Sequence, residues 1–130
     1  MAMSIGEVSE RTGLGIHTLR LYERAGLLTA ELERDAGGRR VYTEADVGWL
    51  VTCRVLRSSG MPLAVIARFA ELVREGPGNE GERLTLLREH EERMVVKLAE
   101  ISAARELIGA KVASYREHVA RGTASELWTR

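Results

Sequence analysis

The stretch Ser4–Leu28, SIGEVSERTGLGIHTLRLYERAGLL, decides how the chain is read. Ser4 and Glu7 stand three residues apart, the spacing at which a serine oxygen and a glutamate carboxylate satisfy the free amides of a helix start. A short helix to about Thr12 follows from that pair. Gly13-Leu14-Gly15 breaks it, and Ile16–Arg24 resumes helical spacing with Ile16, Leu19 and Tyr22 toward one side. Gly26 suits a left-handed stop. Two short helices joined by a glycine-containing turn have the outline of a helix-turn-helix.

C-terminal to this unit the periodicity disappears from Leu28 to Tyr42. Asp35-Ala36-Gly37-Gly38 offers a tight turn before the β-prone Arg40-Val41-Tyr42, so a small hairpin is expected. Thr43-Glu44-Ala45-Asp46 opens a helix running to about Ser59 through Val47, Leu50, Val51, Val55 and Leu56, and Gly60 ends it. Met61-Pro62 starts the next helix, whose apolar face is Ile66, Phe69, Ala70 and Val73. Glu75-Gly76-Pro77-Gly78-Asn79 reads as a linker.

Past Gly81, Leu84, Leu87, Met94, Leu98, Ile101, Ile108, Val112, Tyr115 and Val119 recur at alternating three- and four-residue steps, broken where Glu91 and Arg105 occupy the seam. That is a heptad seam. From Leu84 to Val119 it spans roughly 50 Å, and a stripe of two apolar positions in seven needs a partner helix to cover it. A homodimer is the economical solution, with Leu87, Met94, Leu98, Ile101, Ile108, Val112, Tyr115 and Val119 at its interface. Heptads alone leave parallel and antiparallel pairing open. The expected fold is therefore mainly α. Residues 1–75 form a winged helix-turn-helix head, 76–81 a linker, 82–121 a dimerisation helix and 122–130 a tail whose anchor is Trp128.

Bulk properties narrow the class without choosing a partner. The 130 residues are 45% apolar and 29% charged, with no apolar run of membrane-spanning length, so a soluble domain is expected. No secretory pattern opens the chain, and a single cysteine makes no internal disulfide, which points to a reducing cytoplasm. Lys and Arg number 19, as do Asp and Glu, so net charge argues for nothing. No nucleophile-base pairing, phosphate loop or metal-ligand cluster suggests an enzyme.

Local arrangement is more informative. With the apolar side of the second helix docked, His17, Thr18, Arg20, Leu21 and Arg24 face outward, residue types that suit base edges and phosphates. A solvated helix face is the plain alternative. Arg39-Arg40 beside the hairpin apex tips the balance, since exposed paired arginines do nothing for a core and fit a phosphate backbone. The rival class is a coiled-coil dimeric protein-interaction module, which zero net charge keeps open.

Taken together, residues 4–28, GGRRVYTEADVGWL (37–50) and LRSSGMPLAVIARF (56–69) resemble successive segments of the MerR family of bacterial transcription regulators, in the family's order and spacing. The remainder resembles short-tailed members without a large effector domain. The resemblance implies an antiparallel coiled-coil dimer on double-stranded promoter DNA, one head per half of a pseudo-palindrome, distorting an over-long spacer where RNA polymerase binds. It implies DNA contacts from His17, Thr18, Arg20, Leu21 and Tyr22, and from Arg40 and Tyr42 on the wing beside Arg39. Leu21 stands where an aromatic residue is commonest, and Gly15 replaces a usual serine cap.

No cofactor and no metal are expected: His17, His90 and His118 are widely separated, and the cysteine positions of metal-sensing relatives are empty. The effector is not written in the sequence. Cys53 is a candidate thiol sensor, because relatives that respond to electrophiles use a cysteine in this helix. Counted back from Gly60-Met61, however, that reactive position falls at Val55, about 200° around the helix. Cys53 packing inertly is the alternative. A third possibility is an apolar ligand gathered by Trp49, Phe69, Tyr115 and Trp128, for which interdomain packing is the plainer account.

Overall fold

In a computed structural model, residues 2–127 are described. The order is α1 (Ile5–Thr12), α2 (Ile16–Arg24), β1 (Glu33–Arg34), β2 (Arg40–Val41), α3 (Glu44–Ser58), α4 (Leu63–Glu75) and α5 (Glu80–Arg121), then a single 3-10 turn, Ala124–Leu127. The chain divides into two compact units, one ending at His90 and the other beginning at Glu91.

In the first unit, local chemistry sets the element ends. Glu7 N donates to Ser4 Oγ at 3.2 Å and Ser4 N to Glu7 Oε1 at 3.3 Å, a reciprocal cap that starts α1. Thr43 and Asp46 repeat the device at α3, with Thr43 N donating to Asp46 Oδ2 at 2.8 Å. Gly13 closes α1 at φ 75°, a left-handed conformation that side chains resist. Arg11 then clamps the end of α1 to the start of α3 by two bonds to Glu44, at 2.6 and 2.9 Å.

The core of this unit gathers Val8, Leu14, Leu19, Leu27, Leu50, Cys53, Met61 and Ile66, all buried. α1 packs on α2 and α3, and α3 on α4. Ile16 departs from expectation: it is 40% exposed, because it sits about 60° around the helix from buried Leu19. Met61 and Pro62 precede α4, with Pro62 extended as its N-cap. Leu72 is buried on α4, while Phe69 and Val73 are half-buried.

β1 and β2 form an antiparallel hairpin with Glu33 opposite Val41 and Arg34 opposite Arg40. Asp35 builds the turn, accepting from Gly37 N at 2.9 Å and Arg39 N at 3.0 Å through Oδ1. The wing is anchored to the N-terminus by paired bonds between Met3 and Tyr42, both 2.8 Å.

The long helix begins two residues earlier than expected, at Glu80, so the linker shortens to residues 76–79. Glu80 accepts from Gly78 N, and these backbone bonds hold its carboxyl below the ordinary carboxylate value. Arg68 of α4 reaches Glu82 at 2.7 Å. His90 is buried with Nε2 2.9 Å from Ser59 Oγ. These contacts explain why the first unit extends to His90 instead of ending near residue 75. In the second unit the seam stands open, from 43% exposed at Val112 to 67% at Leu98, with Met94 half-buried. Trp128, the expected tail anchor, lies outside the described residues.

Candidate nucleic-acid interface

Once Leu19 and Tyr22 are docked in the core, helical geometry fixes what α2 presents outward. His17, Arg20, Leu21 and Arg24 fall at i, i+3, i+4 and i+7, one face of the helix, and all are exposed. Thr18, expected on this face, is half-buried on its flank. Gly15 caps α2 with no side-chain hydrogen bond, so the first amides are not consumed by a side-chain cap. A cation-rich stripe with one apolar residue, ending on uncommitted amides, suits a polyanion.

The wing supplies a second cationic element, and its two arginines differ. The Arg39 side chain is 84% exposed, with the Asp35 carboxylate 3.7 Å away. Arg40 instead lies against α2, its Nε 2.6 Å from Glu23, and ties the wing to that helix. A cleft of about 590 Å³ opens between the start of α1, α2 and the hairpin, and Arg20, Arg34, Arg39 and Arg40 all contribute to its walls. Arg34, whose Nη1 donates to Gly38 O at 2.6 Å, was not singled out from the sequence. Strand pairing opposite Arg40 is the signal that finds it.

Two residues expected to touch DNA, Tyr22 and Tyr42, differ from the exposed face in being buried, at 5% and 1% exposure. Tyr22 lies on the docked side of α2 with Leu19, and Tyr42 is drawn inward by its pairing with Met3. Burial pushes both phenols above their ordinary value, with nearby Glu23 adding to the effect at Tyr42. The Tyr42 hydroxyl has no hydrogen-bond partner among the described residues. Both rings pack inward, one from α2 and one from the end of the wing.

Of the two readings of Cys53, the geometry favours packing. The residue is completely buried, and burial pushes its thiol up to about 12, which opposes the thiolate that a sensor needs. Val55 is the exposed position, at 53%, as the 200° separation requires. Trp49 and Phe69 stack on each other with centroids 5.6 Å apart, and the Trp49 indole donates to Leu27 O. Among the described residues no helix is long and apolar enough to cross a membrane.

Residues 3–72 match the family description "MerR HTH family regulatory protein". The chain belongs to the MerR family. It is a DNA-binding transcriptional regulator of bacterial type, and the rival protein-interaction module is not supported. A crystal structure of HiNmlR, described as a MerR family regulator lacking the sensor domain and bound to promoter DNA, matches with a TM-score of 0.89 at 32% identity. The match covers 97% of this chain and 99% of that one. An uncharacterized HTH-type transcriptional regulator of Haemophilus influenzae is 32% identical over 123 residues, 95% of this chain and 90% of its own length. A putative MerR family regulator from Listeria monocytogenes gives a TM-score of 0.85 at 25% identity, covering 95% of this chain and 92% of its own. The family's regulators are not enzymes, which accords with the reading of the residues.

Proposed function

We propose that this MerR-family regulator works in the cytoplasm as a homodimer paired along α5 in the antiparallel sense, and binds a pseudo-palindromic promoter operator with one head per half-site. The single observation that carries the reading is the uncovered seam. Leu84, Leu87, Leu98, Ile101, Ile108, Val112, Tyr115 and Val119 are all exposed on a 42-residue helix. Burying such side chains stabilises by roughly 1.5–3 kcal/mol each when complete, so even partial cover along the rod favours association.

In this reading His17, Arg20, Leu21 and Arg24 enter the major groove while Arg39 holds phosphate beside it. The amides at the start of α2 offer a further phosphate contact. Two heads held on one rod engage a duplex in two places, and distortion of the intervening spacer re-presents the promoter to RNA polymerase. HiNmlR bound to promoter DNA supports this mode of action.

The test combines mass and binding. Sedimentation is expected to give twice the subunit mass, and Ile101→Asp with Ile108→Asp to give a monomer that binds a two-half-site duplex weakly. A wild-type protein that is monomeric at micromolar concentration, or a monomeric variant binding as tightly as the parent, overturns the reading.

A further inference from the structure

The seam of α5 carries a pattern that the apolar stripe alone does not explain. Its two charged positions are Glu91 and Arg105, of opposite sign and each seven residues from Leu98. Both are exposed, and among the described residues neither takes part in an ion pair of the chain. Arg105 rises from a groove lined by Ile101, Ile108 and Val112, with the small Ala104 and Gly109 beside it. A helix laid on that groove removes water from the guanidinium, and a buried cation without a counter-charge is strongly destabilising. The same holds for Glu91, one turn from Met94.

Orientation then decides what each charge meets. In a parallel pair the heptads run in step, so Glu91 faces the partner's Glu91 and Arg105 faces the partner's Arg105. The flanks add to the clash, because Lys111 falls beside the partner's Arg116. In an antiparallel pair with its two-fold axis in the Leu98–Ile101 segment, Glu91 comes within one helical turn of the partner's Arg105, and symmetry makes the pair twice. Long side chains span that offset.

We propose that Glu91 and the partner's Arg105 form a reciprocal pair of salt bridges across the rod, and that this pair selects the antiparallel orientation and its register about Leu98. The inference rests on the pairing of two copies along α5, and it deepens that reading by naming the residues that choose between otherwise equivalent heptad alignments. Its energetic weight lies in rejecting the wrong alignments, since an apolar residue at either position would bind as well while accepting more than one register.

The experiment measures the dimer dissociation constant of the full chain by sedimentation at low salt, with far-UV circular dichroism to follow helix content. Glu91→Arg and Arg105→Glu are each expected to weaken the dimer by about tenfold or more, because each replaces two attractions by two repulsions. The double exchange Glu91→Arg with Arg105→Glu restores the parent constant to within about threefold. A parallel dimer behaves differently: there a single reversal exchanges one like pair for another and leaves the constant unchanged. Unchanged constants in the single variants therefore overturn the proposal, as does a double exchange that stays as weak as the singles. A parent chain that is monomeric under these conditions refutes the pairing along α5 itself, a distinct failure.

Discussion

Arg39 and Arg40 are neighbours with different electrostatic situations, and salt separates them. The Arg39 guanidinium is 84% exposed with its carboxylate contact 3.7 Å away, whereas Arg40 spends its charge on Glu23 at 2.6 Å. On duplex DNA each phosphate contact steepens the fall of log affinity with log salt by about 0.9. Two heads lose two contacts in Arg39→Ala, so the slope becomes shallower by about 1.8. Between 50 and 200 mM salt that is about one log unit, so the variant loses about tenfold less affinity over the range than the parent. Arg40→Ala is expected to change the slope by less than half as much, because Glu23 already screens that charge. Glu23→Gln frees Arg40 and steepens the slope. The assay is fluorescence anisotropy on a duplex selected by the protein from a random-sequence pool, titrated at four salt concentrations. An unchanged slope in Arg39→Ala, or a larger change in Arg40→Ala, refutes the assignment of the wing's phosphate contact to Arg39.

Tyr42→Phe removes a buried hydroxyl that has no partner among the described residues, so thermal stability is expected to hold or rise by about 1 kcal/mol while the salt slope stays fixed. A shallower slope would show the phenol gripping phosphate after all. Cys53 is expected to resist alkylation in the native protein and to react on denaturation. Because its folded value is raised, the neutral thiol's contribution to stability is complete below the unfolded value near 9.0. It declines as pH rises toward about 12, by up to about 1.4 kcal/mol per pH unit. Rapid native modification by a small electrophile at neutral pH contradicts this, and Cys53→Ala removes the alkaline contribution. Gly13→Ala combines a φ of 75° with a new Cβ 2.8 Å from Arg54 Nη1, and chemical denaturation should register a loss of about 1 kcal/mol or more. Full stability in that variant means the left-handed cap of α1 is not required.

The head was legible wherever short-range chemistry fixes structure. Serine and threonine caps, glycine stops and the Asp35 turn act over three or four residues, so α1, α2, the hairpin and α3 could be bounded from letters alone. Exposure was harder. Tyr22 and Tyr42 are amphipathic, and the sequence does not say whether a phenol faces groove or core; Met3 pairing and the docking of Leu19 decided it. Arg40 looked equivalent to Arg39 until Glu23, seventeen residues away, was folded beside it.

By itself the sequence determined the element order, the cationic face of α2 and the seam of α5, because helical period and capping are local properties of a chain. Tertiary structure alone decided which side chains remain available to a partner. It buried Cys53 and left Val55 open, attached the start of α5 to the head through His90 and Ser59, and set Arg34 among the arginines of the cleft. Burial and charge pairing depend on residues far apart in the chain, and no periodicity encodes those distances.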